Sequence, residues 1–231
     1  MSEQLKRSCY GETALISIPD TDYPKLIEGA AFYIKRKLQE DLTDFVTTSF
    51  CEFLKNPIIA STESNEILWN IANLFPQEFE VAKSMVFHLN QTYNGKLNEC
   101  HILTLTKQIV AAKFHFSYRE TERMITLIIE LCKLVEEDFK IEFDFTSITG
   151  HSYVEHMKYL AFRILTNQMD TSGIENWGKE FRRKYIAAYH CANNIGKYIQ
   201  TKYKFLLSEA ELQFLTLHIQ MVVSGVKREL S

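Results

Sequence analysis

The chain has 231 residues, of which 46% are hydrophobic and 24% charged, with a formal net charge of −3 and a pI near 6.2. That length suits one large domain or two of roughly 100 residues each, and the near-neutral balance gives no general electrostatic drive toward nucleic acid or acidic lipid. The five scattered cysteines form no CxxC pair, which argues against a disulfide framework or cysteine zinc site and leads us to expect free thiols. No apolar run approaches the ~18 residues of a membrane helix, and the polar start lacks a signal-peptide core, so a soluble, cytoplasmic protein without membrane partners is expected.

Residues 1 to 22 read as an N-terminal arm, with Ala14 to Ile18 as a short strand or extended segment and Pro19 and Pro24 bracketing a turn. From Lys25 the apolar positions Leu26, Ala30, Tyr33, Ile34 and Leu38 recur at helical spacing. Leu42, Val46, Phe50 and Phe53 continue the period until Asn56-Pro57 ends it. Further helices are predicted over 66–74, 78–93, 99–113 and 120–138, with Phe114 to Tyr118 as a linker. A helix bearing His156 follows, then a polar loop at 170–173, then helices over 179–203 and 209–227. The sequence Ser208-Glu-Ala-Glu211 is a capping box that fixes the start of the last one. Helical periods dominate throughout, so the chain is expected to be all-α.

The second half repeats the first. Phe79, Ala82, Leu89 and Tyr93 lie 110 positions before Tyr189, Ala192, Ile199 and Tyr203. Leu103-Thr-Leu105 matches Leu215-Thr-Leu217 after a two-residue slip, which sets Glu99 over Glu211. A period near 110 implies two tandem copies of one bundle of about five helices, over 23–114 and 115–231.

Two histidines flank apolar stripes in the second copy. His156 lies beside Tyr153, Met157, Leu160 and Ile164, on the side that carries Tyr159 and Arg163. His218 lies beside Leu212, Leu215, Ile219 and Val222. Both are placed at a groove or interface edge. A neutral imidazole there has a nucleophilic ring nitrogen near physiological pH, suited to accepting a phosphoryl group, with Arg163 or Lys158 to offset the added charge. The bland alternative is a pair of packing residues. His151, Glu155 and His156 are not spaced to share a helical face, so no metal site or other cofactor is expected. Neither a Gly-rich phosphate loop, a GxSxG elbow nor an HExxH motif occurs, and no catalytic set can be assembled, so the chain is not expected to be an enzyme.

Tyr153-Val-Glu-His-Met-Lys-Tyr-Leu-Ala-Phe-Arg163 resembles the first histidine motif of a PTS regulation domain (PRD), and Leu207 to Gln220 resembles its second. Asn65 to Trp69 with Phe75 to Val81 is similar to that family's mid-domain segment. The resemblance covers residues 22–228 as two copies. It implies the regulatory part of a bacterial transcription antiterminator or activator that reports sugar uptake by the phosphotransferase system. It further implies that HPr or a sugar permease's EIIB domain phosphorylates His156 and His218, and that this alters the packing of a homodimer.

The first copy departs from the motif. Phe45 in Leu42-Thr-Asp-Phe45 stands where the family carries its first histidine, and Thr106 is set opposite His218. Neither side chain forms a labile N–P bond, so this copy is expected to be a degenerate packing or dimer element, with Phe45 suited to an apolar interface. Met221 replaces a basic residue common after the second motif. The stretch before the first copy is too short for an RNA-binding or helix-turn-helix domain, so any nucleic acid is expected to be reached through a domain not in this chain. A free-standing regulator and the sensor half of a larger one both fit, and Met1 tilts the expectation toward a complete protein. The competing reading is a helical interaction module that has kept the fold and works independently of phosphorylation.

Overall fold

The computed structural model describes residues 16–55, 65–168 and 178–229, with only the backbone at 65–69 and 227–229. Among these residues every regular element is helical. The chain divides into two compact units, one ending at Ile125 and the other starting at Thr126.

In the first unit, α1 (Tyr23–Leu38) buries Ala30, Ile34 and Leu38, spaced one turn apart. It stops where Gln39 adopts a left-handed conformation (φ 57°) and its N–H bonds back to Lys35 O. The single helical period expected from Lys25 to Phe53 is therefore broken here. The second part, α2, comprises Thr43–Phe45, a π-helical turn Val46–Phe50 and Cys51–Lys55. A π turn adds a residue to the helix, which lets Phe45, Val46, Phe50, Phe53 and Leu54 all enter the core. Helix α3 (Asn65–Leu74) is followed by α4 (Pro76–Tyr93), whose first-turn proline lacks only an N–H that no helix uses there. Helix α5 (Glu99–Phe114) begins at a capping box between Asn98 and His101. The expected strand or arm at 14–18 lies partly outside the described residues. Ile16 and Ile18 pack against the core in no regular element.

Helix α6 (Tyr118–Phe139) contains the division, with Met124, Ile128, Leu131 and Val135 on its fully buried face. Its first turns belong to the first unit, beyond the boundary expected at 114. There Lys107, fully buried, forms an ion pair with Glu122 and lies 3.3 Å from the centroid of the Tyr118 ring.

In the second unit, α7 (Ile148–Thr166) starts at Ser147, whose Oγ accepts the Gly150 N–H at 3.0 Å. Residue 150 must be glycine, because a Cβ there would lie 1.9 Å from Asp144 O. The helix expected over 179–203 is two, α8 (Gly178–Lys184) and α9 (Ile186–Tyr203), separated at Tyr185. Helix α10 (Glu209–Glu229) packs on α9 and α7. It starts at the expected box, with Ser208 N–H donating to Glu211 Oε2 at 2.9 Å and Glu211 N–H to Ser208 Oγ at 3.2 Å.

The two-residue slip expected between the copies is absent. Helices α5 and α10 start 110 residues apart, as do the left-handed caps Asn94 and Lys204 before them. In that register Thr106 corresponds to Thr216. Both are fully buried, and both donate their hydroxyl to the carbonyl four residues back. The residue at His218's place is Gln108, half-buried like His218. The assignment of Thr106 to that place is thus corrected. The shared Leu-Thr-Leu triplet is a coincidence between helical positions two residues out of phase.

Cys51, Cys132 and Cys191 are free thiols. No described helix is long and apolar enough to cross a membrane.

Candidate functional site: a histidine pair in the α7–α10 seam

Helices α7 and α10 run antiparallel, and their contacts recur every seven residues. A Cβ on Gly225 would lie 3.0 Å from Thr149 Oγ1, so glycine permits close approach at one end. Two turns further along α7, the His156 and His218 rings stack with centroids 4.8 Å apart and planes 17° from parallel. Two turns on again, Arg163 Nη2 lies 2.7 Å from Glu211 Oε1 in an ion pair. A seven-residue repeat returns to nearly the same helix face, so the three contacts form one strip. The sequence placed His156 and His218 beside their own stripes; the fold sets their rings against each other.

Both histidines are half-buried. The Phe214 ring lies 6.2 Å from His156, and Ser152 Oγ approaches His218 Nδ1 at 3.4 Å. His156 Nε2 is buried and has no hydrogen-bond partner among the described residues. Burial, then the neighbouring His218 and the Arg163 guanidinium, lower the His156 pKa from 6.5 to about 4. Burial lowers that of His218 as well. Removal from water disfavours an imidazolium, so both rings are neutral at pH 7, with a lone pair on one nitrogen of each.

Arg163 belongs to this strip and Lys158 does not. Lys158 follows His156 by two residues, about 200° round the helix axis, and its Nζ is 2.5 Å from Glu155 Oε1. Of the two residues expected to offset the added charge, Arg163 or Lys158, only Arg163 thus lies on this strip. Tyr159 and Met221, three residues after each histidine, are exposed. Glu211 was legible only as a capping residue, and Ser152 and Phe214 carried no signal in the sequence.

In the first unit, Phe45 is 4% exposed within its own core. This corrects the expectation that it suits an apolar interface. Gln108 Oε1 is buried and has no hydrogen-bond partner among the described residues. His101 occupies the capping position that Glu211 fills in the second unit, and its ring meets Phe53 at 6.4 Å instead of an arginine.

The PRD domain profile matches residues 24–112 and 129–222. The transcription antiterminator LicT of Bacillus subtilis (strain 168) is 26% identical over 216 residues, covering 92% of this chain and 78% of that protein. The beta-glucoside operon antiterminator of Dickeya chrysanthemi is 25% identical over 165 residues, 71% of this chain and 58% of that protein. The GlcA/glcB genes antiterminator of Staphylococcus carnosus (strain TM300) is 25% identical over 191 residues, 80% of this chain and 63% of that protein. The chain thus spans only part of each relative's length. With two matches that together cover most of its residues, the chain belongs to the PRD family and carries two PRD domains in tandem.

Proposed function

We propose that this chain is the regulatory region of a cytoplasmic, phosphotransferase-responsive transcription regulator, of the kind its antiterminator relatives are named for. In this reading His156 and His218 of the second PRD receive phosphoryl groups from HPr or an EIIB domain, and the added charge changes the packing of a homodimer. Nucleic acid is engaged through a domain outside this chain, and the chain itself is not an enzyme. The supporting observation is the pair of neutral, half-buried imidazoles stacked in the α7–α10 seam.

The transfer requires little of the acceptor. The lone pair of an unprotonated ring nitrogen attacks phosphorus, and the bond from phosphorus to the donor's side chain breaks with its electron pair staying on that side chain. His156 Nε2 is shielded, so transfer to that atom requires its ring to turn out of the stack. The product places up to about two negative charges in a seam of neutral rings. Separation of the rings, and of the helices that carry them, relieves that charge and biases dimer packing. The first PRD, with Phe45 and Gln108 in the histidine places, serves as packing without a phosphoacceptor.

Incubation with phosphoenolpyruvate, Enzyme I and HPr, with or without an EIIB domain, is expected to raise the intact mass by one or two phosphoryl groups under alkaline conditions. The variant with both His156→Ala and His218→Ala is expected to show no increase. An equal increase in that variant removes the pair from the role.

A further inference from the structure

We propose that Arg163 is an exchangeable arm: it leaves Glu211 for a phosphoryl group on the histidine pair, and in leaving it unfastens the first turn of α10. This rests on the function proposed above and adds the route by which the modification reaches a particular piece of backbone.

Glu211 serves two structures at once. Its Oε1 pairs with Arg163, while its Oε2 accepts the Ser208 N–H that starts α10. Its side chain is only 4% exposed, and the Arg163 guanidinium is the counter-charge that faces it. Arg163 lies two turns from His156 along the same face, about 10 Å of axial rise. Side chains on a helix lean toward its N-terminus, which for Arg163 is toward His156. Its positive charge already acts on that ring. The guanidinium therefore pairs with one carboxylate while its charge already reaches the ring where phosphate would appear.

The exchange follows from the charges. A phosphoryl group offers nearly twice the charge of a carboxylate and three acceptor oxygens for the planar fork of arginine. Once Arg163 has turned to it, Glu211 is a nearly buried carboxylate without its counter-charge, an arrangement that is strongly disfavoured. The carboxylate then swings to water, and Ser208 N–H loses its acceptor. Half of a capping box is undone, and the turn that carries buried Phe205 and Leu207 and exposed Leu206 loosens.

Amide hydrogen exchange on the full chain, before and after phosphorylation with phosphoenolpyruvate, Enzyme I and HPr, tests this. In the wild type, exchange at 208–212 is expected to speed by about five- to tenfold once the histidines are labelled, the factor expected from losing a cap. Glu211→Gln retains an oxygen for Ser208 N–H but no charge for Arg163, so labelling is expected to leave its exchange at this turn unchanged. Arg163→Gln is expected to show fast exchange there before labelling, and Arg163→Lys to restore part of the protection. Wild-type protein that takes the label with no change at 208–212 overturns the exchange of partners and leaves the proposed function standing. So does a Glu211→Gln variant whose turn still loosens on labelling. A wild type that takes no label overturns both.

Discussion

His156 couples the site to pH through its burial. Its ring protonates near 6.5 when unfolded and near 4 in the folded protein. Between those values the unfolded state binds more protons, so the stability contribution is complete above pH 6.5 and is lost as pH falls toward 4. Urea midpoints over this window are expected to drop, by on the order of 2 kcal/mol in stability from this ring. His156→Asn, which cannot protonate, is expected to flatten the slope. A slope equal to wild type in that variant assigns the pH dependence elsewhere. Glu211 makes the other test at this scale. Removing one partner of a largely buried pair leaves a charge uncompensated, so Glu211→Ala is expected to cost about 3 kcal/mol in chemical denaturation. A cost of a few tenths would mean that Arg163 finds water without penalty. The histidines were visible in the sequence because they flank apolar stripes. Their mutual stacking was not visible, because periodicity places a residue on its own helix and says nothing of which helix it meets.

At the scale of elements, helix ends explain most of what the sequence disclosed and withheld. Ser208-Glu-Ala-Glu211 announced the start of α10 because both halves of the box are side chains with one common use. The end of α1 at Gln39 left no such mark, since glutamine in a left-handed cap looks like glutamine in a helix, and the apolar period runs on beyond it. The same blindness led from Leu103-Thr-Leu105 to a false slip, which the caps and the hydroxyl bonds of Thr106 and Thr216 resolve. Gly150 allows a sharp test of one start. With a Cβ held 1.9 Å from Asp144 O, Gly150→Ala must shift backbone, and about 3 kcal/mol is expected to be lost in thermal unfolding. Unchanged stability would mean that the turn at 144–147 is not closed against α7. Ser208→Ala, which removes only a cap, is expected to cost about 1 kcal/mol.

For the whole molecule, the duplication has been kept in backbone and divided in chemistry. The second PRD has a polar strip along its seam, with His156 against His218 and Arg163 against Glu211. The corresponding places in the first hold Phe45, Gln108, Phe53 and His101, and Phe45 lies in the core. An all-helical, twofold design was readable from the recurrence of Tyr93 and Tyr203 and their neighbours. The division of labour was readable at Phe45 and misplaced at Thr106. The most direct measurement is peptide-level mapping of phosphohistidine, at alkaline pH, after exposure to the phosphotransferase components. The proposed function predicts phosphate on peptides containing His156 or His218, and none on His88, His101, His115, His151 or His190. Phosphate on any of those five while His156 and His218 remain unmodified would contradict it.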